Sequence, residues 1–206
     1  FDDEKPETLD GESRSLRDEM FEFRTEILAR LSDRNVPLSA RISETLCLVA
    51  TAQGETVSLF EFPAGKIWGE IWDFLSGLES LGDTWDQALD RIRKEWFCSK
   101  ASGPYSEADG ERIVAYEIFR YLGKSLYDGD MLSKVKFAAL FWLILRKFGE
   151  HLAFGSSGDF LKVDALKLLS RQLEYSEENM DALVQAFAEK PFFSTGAFLV
   201  LAREFG

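Results

Sequence analysis

The chain has 206 residues, 46% hydrophobic, 14% aromatic and 29% charged, with a formal net charge of −12. That apolar content excludes a disordered chain, which lacks the surface needed to offset ordering entropy. The acidic charge opposes nucleic-acid binding, which draws on Lys and Arg displacing counterions from phosphates.

Residues 1–13, beginning FDDEKPETLDGE, are acidic and predict a flexible segment. A secretory signal would begin basic and then turn apolar, so none is expected. The first residue is Phe, as in a fragment or a trimmed chain. Residues 14–206 predict a single helical domain.

Over 14–32, Leu16, Met20, Phe23, Ile27 and Leu31 form one apolar stripe at helical spacing. SDRNVPLSAR then turns the chain, with Pro37 suited to the first turn of the next helix, where no amide donor is needed. Leu38, Ile42, Leu46 and Val49 continue that helix toward Gly54. The stretch 53–65 carries some strand character in Val57, Leu59 and Phe62 but reads as an ordered loop. Ile67, Ile71, Leu75 and Leu78 make the next stripe, with Trp68 and Trp72 one turn apart beside it. Asp83 or Thr84 is the expected N-cap of a helix burying Trp85, Leu89, Ile92 and Trp96.

The Gly-, Ser- and Pro-bearing segment at 98–110 is a candidate internal boundary or a long loop. Beyond it the pattern predicts helices near 108–126, 130–148 and 160–174, then one capped by Ser176, and a short last helix carrying Phe198, Leu201 and Phe205. The expected fold is an all-α bundle of eight or nine helices, mostly antiparallel neighbours. The longest apolar run, FAALFWLIL at 137–145, is far below the ~20 residues that span a bilayer and reads as a central core helix.

Motifs for chemistry are sparse. Neither GxGxxG nor GxxxxGK[ST] occurs. Aligning Gly110 to the turn of a calcium loop puts Tyr105 and Tyr116 where carboxylates are required. Two cysteines, Cys47 and Cys98, and the sole histidine, His151, offer no zinc spacing or disulfide framework and read as structural residues of a reduced, cytoplasmic chain. The tryptophans sit at helical spacing and read as packing residues rather than as a pocket. Three arginines stand out: Arg34 and Arg41 flanking the Pro37 turn, and Arg171 three residues before Glu174 and one turn before Tyr175. Their simplest reading is an ion-pair lock, with Arg171 and Glu174 holding their helix onto the turn after the first one.

Three stretches together resemble the C-terminal helical region of the flagellin lysine-N-methylase family. LRDEMFEFRTEILARLSDRNVPLSARI is similar to an arginine-bearing helix followed by an R-x-x-x-L-x-x-R turn, here Arg34, Leu38 and Arg41. ERIVAYEIFRYL is similar to the family's NYLVNYLF helix, with Val114, Tyr116 and Phe119 in corresponding places. LSRQLEYSEEN is similar to SR-x-x-EH, matched by Ser170, Arg171 and Glu174. Tyr175 stands where the family has histidine, and the asparagines of the second motif are missing. The family's N-terminal cysteine cluster has no counterpart, and two cysteines cannot supply the four thiolates of an iron–sulfur centre.

The resemblance implies part of a protein-lysine N-methyltransferase using S-adenosylmethionine, with flagellin or another lysine-bearing segment as partner. On that reading Arg34, Arg41, Tyr116, Arg171, Glu174 and Tyr175 are candidates to line or brace a groove. A second expectation is a non-catalytic acidic helical module that holds a partner helix or basic segment.

Overall fold

The computed structural model describes residues 11–58, 61–95, 105–152 and 158–205, and among them the chain is all-α. The helices are α1 (Gly11–Leu31), α2 (Leu38–Ala52), α3 (Ala64–Ser76), α4 (Asp83–Glu95), α5 (Glu107–Tyr121), the single turn α6 (Ser125–Asp128), α7 (Met131–Leu152), α8 (Gly158–Glu174), α9 (Glu177–Glu189) and α10 (Thr195–Ala202). Apart from that single turn, the nine helices among the described residues agree with the expected eight or nine. Short 3-10 turns follow α5, precede α10 and close the described chain.

The centre is α7. Residues 137–145 are buried without interruption, as expected of a helix apolar on every side. Helices α2, α4, α5, α8, α9 and α10 all pack on it. One apolar cluster runs from Ile27 of α1 to Leu201 of α10, and thus spans both sides of the 98–110 segment. Trp68 and Trp72 stack at 4.9 Å between ring centroids, and Trp72 and Trp85 both reach Phe148 of α7. Trp96, Cys98 and residues 1–10 lie outside the described residues.

Several local expectations shift by a residue or a turn. Pro37 is the N-cap of α2 (φ −55°, ψ 143°) and lies just outside its first turn. Asp83 is already helical, so the cap position falls on Gly82, while Asp83 and Asp86 put negative charge where the amide-rich terminus favours it. The helix expected at 108–126 ends at Tyr121. The chain tightens through a 3-10 turn and reverses at Gly129, whose φ of 71° suits a residue without Cβ. His151 falls within the last turn of α7, which Gly149 does not terminate. Residues 53–58 and 61–63 form no strand. They are anchored by Gln53, whose side-chain nitrogen donates to the Gly129 carbonyl at 2.7 Å and whose oxygen accepts from the Leu132 amide. Leu16 is 55% exposed although it shares the stripe of Ile27 and Leu31, because burial of α1 strengthens only toward its C-terminal half.

Ser176 caps α9 as expected, its hydroxyl accepting from the Asn179 amide at 3.2 Å. Ser106 and Asp109 make a reciprocal capping box at the start of α5. That start is tightly packed: a Cβ on Gly110 would lie 2.6 Å from Leu38 Cδ2 and 2.9 Å from Trp142 Cδ1.

Candidate functional site

The sequence-selected residues separate into two places. At the N-terminus of α5, Arg34 and Arg41 converge on Glu111. Arg34 binds it through two parallel bonds, Nε to Oε2 at 3.1 Å and Nη2 to Oε1 at 3.0 Å, while Arg41 Nη1 donates to Oε2 at 3.1 Å. Arg41 is 1% exposed, donates also to the Leu31 carbonyl, and sits 3.6 Å from Glu107. Hydrogen bonding from Arg34 holds the Glu111 carboxyl below its usual range, with Arg41 adding to the effect. The turn after α1 is therefore locked, but by α5. The expectation that Arg171 and Glu174 lock α8 onto that turn is corrected. Arg171 is exposed beside Gly82 and has no ion pair among the described residues, and Glu174 turns instead to α5.

Glu174, Tyr175 and Tyr116 meet elsewhere, in a groove of about 450 Å³ between α5 and α8. Its floor is apolar, formed by Ile113, Phe141 of α7 and Leu166, and its walls carry Arg112, Tyr116, Glu117, Arg120, Lys167, Ser170, Glu174 and Tyr175. The four-residue steps 112, 116, 120 on α5 and 166, 170, 174 on α8 put each set on one helical face. Glu174 gathers three donors: Arg120 Nη1 at 2.8 Å, the Tyr121 hydroxyl at 2.9 Å and the Ser170 hydroxyl. Arg120 also donates to the Tyr116 hydroxyl at 3.1 Å and lies against the Tyr121 ring. Burial first, and then the bond to Glu174, push the Tyr121 phenol up from its ordinary value.

Glu117 is the unusual member. It is 2% exposed, and its Oε2 has no hydrogen-bond partner. Burial pushes its carboxyl up to about 8, repulsion from Glu174 adds to this, and Arg120 opposes it. The carboxyl is therefore largely protonated at neutral pH. Other buried polar atoms without a hydrogen-bond partner among the described residues are Arg17 Nε, Arg41 Nε, Trp72 Nε1 and Arg146 Nε. Glu117 combines such an atom with a cavity wall and a pKa near neutrality, the combination that marks candidate functional sites.

Sequence reasoning did not single out Glu117 or Arg120. A signal was present for Glu117: Val114, Ile118 and Tyr121 form the buried stripe of α5, and a carboxylate three residues after Val114 and four before Tyr121 falls on it. The same holds for Gln172 and Asn179, both 1% exposed, which lie among the leucines of α8 and α9. Asn179 exchanges hydrogen bonds with the Glu79 backbone at 2.9 Å in both directions, and Gln172 accepts from the Leu81 amide at 3.0 Å. These amides clamp the α3–α4 loop and leave the groove free.

A second titratable group lies under the other end of the fold. Lys136 of α7 is buried between two cavities, and burial lowers its pKa against the opposing pull of Glu55. Its ammonium donates to the Phe187 carbonyl at 3.1 Å and lies 3.8 Å from Glu55, so its charge is matched. Among the described residues no group of three or more His, Cys, Asp or Glu side chains is placed to hold a metal ion, and no helix is long and apolar enough to cross a membrane.

Compared with family models, curated proteins and solved structures, the chain finds no match.

Proposed function

We propose that this chain is the helical part of a protein-lysine N-methyltransferase of the flagellin-methylating type, acting in the cytoplasm, and that the α5–α8 groove holds one of the reaction partners. The observation that carries the reading is the meeting of two of the three resemblance-bearing segments across one groove: Tyr116 comes from the second, Ser170, Glu174 and Tyr175 from the third. They enclose a buried carboxyl with an unpaired oxygen. Arg34, Arg41 and Arg171 take no part in lining it.

S-adenosylmethionine would supply a methyl group carried on a sulfonium. The groove residues fit such a molecule. Ile113, Phe141 and Leu166 give an apolar bed, and Tyr116 and Tyr175, 53% and 76% exposed, offer ring faces suited to a planar base or a cation. Glu117 lines the groove at depth, with its Oε2 buried behind that wall and without a hydrogen-bond partner. In that role Arg120 and Ser170 position Glu174, and Glu117 holds or releases a proton next to the ligand. The net charge of −12 favours approach of a basic substrate segment to the protein as a whole.

The test is transfer of labelled methyl from S-adenosylmethionine to flagellin lysines by the protein with its natural flanking sequence. Tyr116→Ala and Glu174→Gln are compared with the native protein, and loss of transfer in folded variants is expected. No transfer by the native protein would refute the enzyme reading. One observation favours the second reading, a non-catalytic protein-binding module. Phe21, Tyr116 and Phe119 form an exposed aromatic row, with Arg24 against the Phe21 and Phe119 rings, beside the groove. Capture of a flagellin segment without methyl transfer would support that module.

A further inference from the structure

The groove lining is divided by charge. Glu117 and Glu174 sit at one end with the rings of Tyr116 and Tyr175, and the cation that lines this end among the described residues, Arg120, is already bonded to Glu174 and Tyr116. Arg112 and Lys167 lie earlier on the two walls. At 1.5 Å per residue, Arg112 is about 7–8 Å along α5 from Glu117, and Lys167 about 10 Å along α8 from Glu174. Neither the Arg112 nor the Lys167 side chain has an ion pair or hydrogen bond with another described residue, and between the two ends lie Ile113, Phe141 and Leu166. A cation placed at the first end lies against the Glu117 wall and the aromatic faces, and a carboxylate placed toward the second comes between Arg112 of α5 and Lys167 of α8, neither of them paired among the described residues.

We propose that the α5–α8 groove takes a zwitterion, a ligand whose cationic centre and carboxylate are joined by an apolar or aromatic body, with the cation against Glu117 and the carboxylate at Arg112 and Lys167. The inference rests on the groove being the working site of the chain, and it adds the charge pattern and orientation of the ligand. It also makes binding a proton-coupled event. In the free protein Glu117 keeps its proton because it is buried and faces Glu174. A ligand cation within hydrogen-bond reach supplies the opposite charge that its carboxylate lacks, so Glu117 ionises and its proton passes to solvent while the cation takes its place. No other bond is made or broken. The remaining groups facing Glu117 do not compensate: Arg120 is held by Glu174, α7 presents the apolar Phe141, and Arg112 and Lys167 are engaged by the carboxylate of the ligand.

With the Glu117 carboxyl near 8 in the free protein, about nine-tenths of molecules carry the proton at pH 7, so binding releases nearly one proton per site. Affinity rises about tenfold from pH 7 to pH 9, as the ionised fraction rises from about one-tenth to about nine-tenths.

The experiment is calorimetric titration of the full chain at pH 7 in two buffers of different ionisation enthalpy, which counts released protons directly. The probes are S-adenosylmethionine, 6-aminohexanoate, hexanoate and hexylammonium. The zwitterion 6-aminohexanoate should bind with close to one proton released, and the two single-charge analogues about tenfold or more weakly. Glu117→Gln should abolish the release and flatten the pH dependence. The carboxyl carbon shift of Glu117 in the native chain gives the same answer without a variant. Equal binding of hexanoate or hexylammonium, binding without proton release, or no binding of 6-aminohexanoate each overturns the proposal. If 6-aminohexanoate binds as described and S-adenosylmethionine does not, the charge pattern stands and the methyl-donor reading of the groove falls. Methyl transfer by a protein that releases no proton on binding leaves the enzyme reading standing and overturns the charge pattern.

Discussion

Replacing Glu117 by Gln tests the electrostatics of the groove through stability alone, without any ligand. The folded chain holds on this carboxyl a proton that the unfolded chain gives up, because burial raises the group from an ordinary value of 4.5 to about 8. Between those values the folded state binds more protons than the unfolded state, so this group makes stability fall as pH rises. Each pH unit in the middle of the window is worth about 1.4 kcal/mol. Integrated with both end points, the loss is roughly 2–3 kcal/mol from pH 5 to pH 7 and roughly 4 kcal/mol by pH 9. Against a typical domain stability of about 5–15 kcal/mol, that is a large share. The amide of Gln cannot ionise, so its contribution stays level with pH while the native chain weakens. Urea unfolding of both proteins at pH 5, 7 and 9 gives the result as a difference of differences, which cancels the titrating groups not coupled to Glu117 and any fixed cost of seating the amide. Parallel stability curves for the two proteins would refute the claim that Glu117 is neutral in the fold.

Arg41→Met removes a buried guanidinium from Glu111 and from the Leu31 carbonyl, leaving the latter without that donor. It should cost about 3 kcal/mol in urea unfolding, while Arg34→Met, in a side chain largely in water, should cost clearly less. Gly110→Ala would gain up to about 1 kcal/mol of helix propensity in a solvent-exposed helix. Here the added methyl meets the Trp142 indole and Leu38, so a lower melting temperature and a net loss of about 1–3 kcal/mol are expected. An unchanged or raised melting temperature would show that α5 can move away from α7.

Much of the fold is legible in the sequence because helix signals are local. The stripes of α2 and α3 and the unbroken apolar run of α7 can be read as buried faces without knowing what covers them. The Ser176 cap needs only the three residues that follow it. The candidate site is legible in part. Tyr116, Glu174 and Tyr175 stand out in the sequence and do line one groove, whereas Arg34 and Arg41 belong to a lock at the start of α5 and Arg171 to the exposed surface. Within one helix, Arg171 and Glu174 look like partners at three residues' spacing. The rotation of α8 against α5 decides instead that Glu174 meets Arg120 and Tyr121, the latter 53 residues away.

The sequence alone determined an acidic, all-α chain with a central apolar helix, since periodicity and composition depend on nearest neighbours along the chain. Only the tertiary structure decided which charges are matched. Arg41 finds Glu111 across 70 residues, and Glu117 is left with a bare oxygen beside Glu174. Such pairings depend on the register and rotation between packed helices. A shift of one residue turns a side chain by about 100° around its helix, enough to exchange a salt bridge for an unpaired carboxyl.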